Sequence, residues 1–368
     1  MGLDDRVSAL FDGRNRLKLG LFAHNGSGGS LALVPEAYTP TWPGSLQLSQ
    51  IADEAGYDAI VPFMRWRGYV DDDPDHRTHA CLETYTWAAA IGQATSTAAV
   101  FATSHLYSIH PLLAAKQGAT IDHITGGRFA LNLVAGWHPG EFGMFGLSPV
   151  SERDRYAQAA EWLTLLRRFW SEDGEFDFEG RFYRVERGLA RPRPLQSPPP
   201  VMSAGSSATG REFAARHADV AFIALRDEVD VARAQIAEYR ALARAHGRDL
   251  QIWTFTYVIQ RDTHAEAEAY ERHLAEHPDV PALENWVAGV GAASRMPPQY
   301  LEVFRHRSVV GMGGYPLVGT ADEITERLVA LSEVGLDGLL LTWVDYADGL
   351  QRFNRDALPR LQQAGVRA

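Results

Sequence analysis

The sequence predicts an α/β fold, a (β/α)8 TIM barrel with insertions at its C-terminal face, and three observations carry that expectation. Short apolar runs recur eight times along the 368 residues. Amphipathic stretches with helical spacing lie between them. Several runs also lack the in–out alternation of a half-exposed sheet, the pattern of parallel strands covered on both faces. A doubly wound open sheet shares the same alternation and stands as the alternative.

In chain order, strands are expected at residues 18–23, 58–63, 98–104, 129–136, 200–205, 220–224, 252–259 and 338–344. Residues 45–55 put Leu48, Ile51, Ala52 and Ala55 on one helical face. Pro111 opens a helix that Gly126-Gly127 closes, following the preference for Pro in the first turn and Gly just past the last. Ser151-Glu152-Arg153-Asp154 has the form of a capping box ahead of a helix over 156–169. Further helices are expected at 209–217, 230–245, 321–331 and 350–362. Residues 176–185 read as a small hairpin turning at Glu179-Gly180. Residues 138–150 read as a long loop, and the Pro-rich 192–200 as extended. Residues 273–314 hold Pro, Gly, His and Trp without clear periodicity. They are expected to be a lid inserted at the active face of a single domain spanning 1–368.

The net charge of −11 argues against nucleic acid and against an anionic membrane surface. Cys81, the single cysteine, leaves no internal disulfide and no cysteine-based zinc cluster. Residues 1–17 are charged and lack the apolar core of a signal peptide, and no apolar run approaches the roughly 18 residues that span a bilayer. The expectation is a cytoplasmic protein with no membrane partner.

Barrel enzymes carry their chemistry at the C-terminal ends of the strands. There the sequence sets His24, Met64, Arg65, Thr103, His105, Asn132, Trp137, Gly205, Ser206, Ser207, Trp343 and Asp345. Amides, hydroxyls, aromatics and arginines suit a large polar cofactor that brings its own reactivity, and no metal site is expected. Asn132 is an amide in an apolar run, costly to bury without partners. If its strand is a parallel neighbour of 98–104, Asn132 and Thr103 face one small polar site. Such a site could steady a flavin edge and a molecule of oxygen. Residues 204–211, Ala-Gly-Ser-Ser-Ala-Thr-Gly-Arg, follow a strand and open a helix, so their N–H groups suit a phosphate; an ordinary capped turn is the other reading.

Taken together, residues 119–122 (Ala-Thr-Ile-Asp), Gly126-Gly127-Arg128, 132–137, Arg155-Tyr156, 204–211 and 338–342 resemble the bacterial luciferase-like flavin-dependent monooxygenases. The likeness runs over nearly the whole chain and is strongest to the branch holding the pyrimidine and dimethylsulfone monooxygenases. It implies a homodimer or homotetramer that takes FMN as FMNH2 from a separate NAD(P)H-dependent flavin reductase. With O2, such an enzyme forms a flavin-peroxide and oxygenates a small organic substrate. The resemblance further implies that Met64 and Arg65 border the flavin ring and that Asn132 and Glu141 contact its ring or ribityl chain. It sets Arg155, Tyr156 and Ser207 on the phosphate, with Gly205 and Ser206 in the same turn. Thr103 and Asn132 match the pair associated with oxygen.

The chain departs from that branch around the presumed substrate space. Arg65 stands where the pyrimidine enzyme has Lys, Ser104-His105 replaces two alanines, and His24-Asn25 is different again. His105 is read as a general acid or base, or else as a satisfied structural histidine. His24, Trp137 and Trp343 are the expected substrate-facing residues, with core packing the alternative for Trp137. The expected substrate is a heterocycle or amide-like carbonyl compound. A sulfone or sulfonate whose C–S bond is cleaved, a deazaflavin-dependent oxidoreductase on the same barrel, and a flavin-binding protein without turnover are the rivals.

Overall fold

All eight expected strands form, and they close on themselves. The computed structural model describes residues 10–226, 228–292 and 296–368; residues 1–9 of the charged opening stretch and 293–295 of the expected lid lie outside the described residues. The strands are β1 (Lys18–Phe22), β2 (Ala59–Val61), β3 (Ala99–His105), β4 (Phe129–Val134), the hairpin β5 (Phe176–Glu179) and β6 (Arg184–Gly188), β7 (Val201–Ala204), β8 (Val220–Ile223), β9 (Gln251–Gln260), β10 (Tyr315–Gly319) and β11 (Gly338–Thr342). The parallel order β1-β2-β3-β4-β7-β8-β9-β11 returns to β1, so the sheet is a closed (β/α)8 barrel rather than the open alternative.

Strand alternation sorts the core. Ala59, Val61, Ala99, Phe101, Ala130, Met202, Trp253 and Leu340 fill the barrel interior. Phe22, Phe222 and Phe255 close it off, their ring centroids 5.5, 5.8 and 6.1 Å apart. The opposite faces, such as Leu19, Leu21, Leu339 and Leu341, bury against the surrounding helices.

Those helices are α1 (Trp42–Glu54), α2 (Thr84–Ala94), α3 (Pro111–Thr125), α4 (Pro139–Met144), α5 (Glu152–Ser171), α6 (Ala208–His217), α7 (Val229–Ala245), α8 (His264–Ala275), α9 (Val280–Gly289), α10 (Pro298–Gly311), α11 (Ala321–Glu333), α12 (Tyr346–Arg352) and α13 (Leu358–Gln363). Pro111 opens α3 as expected, and Gly126 ends it at φ +69°. Ser151 caps α5 by accepting the Asp154 N–H at 3.1 Å. Among the described residues no helix is long and apolar enough to cross a membrane.

Five local expectations need correction, the first being α8, whose residues 264–275 were not expected to be helical. The described residues of 273–314 are largely helical, comprising the end of α8, then α9 and α10. The 138–150 loop contains α4. Helix α2 was not foreseen: its run Tyr-Thr-Trp-Ala-Ala-Ala-Ile has little polar face to mark a period. Nor was β10, which adds to the upper half of β9, from Tyr315 opposite Thr256 to Gly319 opposite Gln260, while β8 pairs with the lower half.

At the N-terminal end of the barrel Arg367 is buried. It donates to Asp58 Oδ2 at 2.6 Å, Leu17 O at 2.9 Å and Gly56 O at 2.6 Å, and Asp58 Oδ2 also accepts the Leu19 N–H at 2.8 Å. Removing one partner of a buried pair strands the other. Arg367→Ala is therefore expected to lower the free energy of unfolding by about 3 kcal/mol in urea titrations.

Candidate active site

The C-terminal rim of the barrel is organised by the pairing of β3 with β4. Val100 lies opposite Phe129, and the register runs without a bulge to His105 opposite Val134, so Thr103 and Asn132 are direct neighbours. Both face the interior above Phe101 and Ala130, and each is only 3% exposed. Asn132 Nδ2 donates to Thr103 Oγ1 at 3.1 Å, and the Thr103 hydroxyl donates to Pro62 O at 2.5 Å. The pair is thus oriented as one unit from the end of β2. Asn132 Oδ1 is buried and has no partner among the described residues. An orphaned acceptor at this depth is costly, and it suits a guest that brings an N–H.

His105 is the next residue of β3 on the same face. Its Nδ1 lies 2.9 Å from Tyr107 Oη and 3.2 Å from Glu141 Oε2. Tyr107 donates its only proton to Glu141 Oε2, so the hydrogen between His105 and Tyr107 sits on His105 Nδ1. Nε2 takes no protein partner among the described residues. Glu141 Oε1 accepts the N–H groups of Trp66 at 2.7 Å and Arg67 at 3.3 Å. Both Glu141 oxygens are thereby engaged, and they tie α4, the loop after β2 and the end of β3 together. Burial pushes the Glu141 carboxyl up, but hydrogen bonds from His105, Tyr107 and Trp66 outweigh it and hold it down to about 2. Tyr107, a member of this cluster the sequence reading missed, is raised by burial and by its bond to Glu141. Gly136, at φ +85°, lets the Tyr107 ring pack against the backbone where a Cβ would collide.

A second cluster lies at the start of α6. Ser207 caps that helix, accepting the Gly210 N–H at 3.0 Å, and hydrogen-bonds to the Tyr156 phenol. A Cβ on Gly205 would strike the Tyr156 hydroxyl and come within 3.1 Å of Gly210 Cα, so only glycine permits this closeness. Arg155 donates to Val150 O at 2.9 Å and keeps a buried Nε without partner among the described residues. Tyr156, Gly205 and Ser207 meet at a helix N-terminus, with exposed Ser206 in the same turn, while the Arg155 charge acts on the Tyr156 phenol. That donor set fits a phosphate.

The loop after β2 carries half-buried Met64 and buried Arg65. Trp137 is half-buried against Trp286 of α9 (centroids 5.4 Å) and His138 (5.2 Å), which joins the rim to the inserted helices.

Two expected substrate-facing residues are corrected. Ala23 adopts φ +64°, which breaks the alternation after β1 and sends His24 outward. His24 is wholly buried beneath α1 and α2, with Nε2 2.8 Å from Ser49 Oγ and its ring 5.3 Å from Trp87, and burial lowers its pKa to about 3. Trp343 continues the outward face of β11 and packs on Tyr346 and Phe353 in the helix layer. His76 and His79 serve their own loop: His76 pairs with Asp279 at 3.0 Å, and His79 bonds Gly68 N and Val70 O.

Because its carboxyl is depressed from 4.5 to about 2, Glu141 contributes stability that is complete above pH 4.5 and is lost as pH falls through about 2. The unfolding free-energy difference between the wild type and Glu141→Gln should be flat above about pH 5 and shrink below it, by up to roughly 3 kcal/mol, in urea titrations across pH.

The family described as luciferase-like monooxygenase matches residues 17–338. An FMNH2-dependent dimethylsulfone monooxygenase of Pseudomonas putida is 31% identical over 356 residues, covering 94% of this chain and 96% of the relative. The pyrimidine monooxygenase RutA of Acinetobacter baylyi is 30% identical over 355 residues, covering 93% and 94%. A solved riboflavin lyase, RcaE, described with modified FMN and substrate riboflavin, superposes at a TM-score of 0.85 with 23% identity over 96% of this chain and 92% of its own, a likeness of fold.

Proposed function

The chain belongs to the luciferase-like monooxygenase family, and from that premise we propose that it is a two-component monooxygenase using reduced FMN and O2 on a small organic molecule. The observation that carries the reading is the buried, unpartnered Asn132 Oδ1 beside Thr103. Dihydroflavin has an N–H on its central ring where oxidised flavin has only a lone pair, so a buried acceptor suits the reduced form. Ser207, Tyr156 and Arg155, with the N–H groups opening α6, would hold the phosphate. Met64 and Arg65 would border the ring. When bound, reduced FMN supplies the electrons that activate O2.

The protein's own contribution is orientation, dryness and a proton. Thr103 fixes the Asn132 amide, because its hydroxyl proton is already given to Pro62. Glu141 and Tyr107 hold His105 with Nδ1 protonated, leaving Nε2 to exchange a proton with the substrate. Trp137 and Trp286 would exclude water where α9 meets the rim. A separate NAD(P)H-dependent reductase would deliver the cofactor. The substrate class is a small heterocycle or amide-like carbonyl compound, with a sulfone or sulfonate as the alternative suggested by the dimethylsulfone relative.

Incubation with anaerobically reduced FMN and 18O-labelled dioxygen, over a panel of carbonyl and sulfur compounds, should give one labelled product by mass spectrometry. In Asn132→Ala the product yield should fall roughly a hundredfold while flavin oxidation continues; an unchanged yield defeats the assignment. Ser207→Ala should weaken reduced-FMN binding by roughly tenfold in anaerobic titrations.

A further inference from the structure

Arg65 follows the end of β2 and carries its charge into a place where only 7% of the residue is exposed. Its guanidinium lies between two rings, with Cζ 4.6 Å from the centroid of Phe63 and 4.4 Å from that of Tyr69. Nη1 donates to Ser27 O at 3.3 Å and Thr78 O at 2.9 Å, and Nη2 to Tyr69 Oη at 3.0 Å. All three acceptors are neutral. Among the described residues no carboxylate reaches ion-pair distance of this cation. Glu141, beside the same loop, has both oxygens engaged elsewhere. Arg67 turns outward to exposed Asp71.

A buried cation satisfied only by neutral groups is expensive unless an anion arrives. Stacking and three hydrogen bonds also fix the guanidinium plane. Among the described residues the Nε–H and the second Nη2–H have no partner, and Nε with Nη2 is the edge that makes a side-on fork to a two-oxygen anion. The loop is clasped from the insertion, since Asn285 of α9 donates to Tyr69 O at 2.6 Å. The Tyr69 ring lies 5.4 Å from Trp286 and 6.3 Å from His138, and Pro62 at the start of the loop accepts from Thr103, so the loop that carries Arg65 joins the Thr103–Asn132 rim to the inserted helices.

We propose that the substrate carries an anionic oxygen group, a carboxylate or a sulfonate, and that Arg65 receives it. This rests on the oxygenase reading of the same rim and narrows its substrate class to anions. It also gives Arg65 a specificity role distinct from bordering the ring.

Quenching of intrinsic tryptophan fluorescence, with Trp137 and Trp286 nearby, offers the test. Wild-type protein is titrated with benzoate against benzamide and with methanesulfonate against dimethylsulfone. Each anion should bind at least tenfold more tightly than its neutral counterpart, and the stronger of the two anions identifies the group. Arg65→Gln should erase the preference to within twofold, and Arg65→Lys should restore part of it. Equal binding of anions and neutral molecules by the wild type overturns the proposal, and that comparison needs no variant to fold. Reduced-FMN affinity is measured anaerobically in parallel. If Arg65→Gln loses flavin binding and the wild type has no anion preference, the cation serves the cofactor and the proposal falls. If the wild type prefers anions but binds no reduced FMN, the oxygenase reading fails while the anion site stands.

Discussion

Everything at the rim depends on the unbroken register between β3 and β4. Parallel strands place side chains by parity, so one slipped residue would turn Asn132 into the helix layer and bring Leu131 or Leu133 inward. With the register kept, the amide meets the Thr103 hydroxyl and the hydroxyl meets the Pro62 carbonyl, a chain of bonds crossing three neighbouring strands. His105 then falls into the same column one step higher. Closure of the barrel, from β11 back to β1, is what gives this rim a fixed shape.

The electrostatics follow from the same arrangement. Glu141 is a buried carboxylate whose charge is held by two backbone N–H groups, a phenol and an imidazole. It acts through others: it sets the His105 tautomer and pins the loop on which Arg65 rides. One short helix, α4, thereby connects the His105 imidazole with the buried cation.

Much of the fold was legible because parallel strands covered on both faces leave plain apolar runs, and all eight barrel strands lie where such runs stand. Helix α2 was not, because a helix apolar nearly all round shows no period. Strand β10 was masked by Pro316 and by its pairing with only half of β9. Thr103 and Asn132 were readable as neighbours from strand order alone. His24 was misread because nothing in the letters announces a left-handed Ala23, and one such residue reverses which way the following side chains point. Trp343 was misread because its parity is set by the start of β11. Tyr107 was overlooked, although a His-x-Tyr spacing just past a strand is the kind of signal that could have flagged it.

The three phenylalanines that close the barrel have one more consequence. A cavity of about 730 Å³ opens at the opposite end, bounded by Arg240, Arg248, Asp219 and Asp337. The aromatic plug seals it from the rim, and the barrel is no corridor. A guest at Asn132 therefore cannot be supplied from that cavity along the barrel axis. Exchange at the two ends of the barrel is thereby uncoupled: what binds beside Arg240 and Asp337 has no axial path to the amide at the rim.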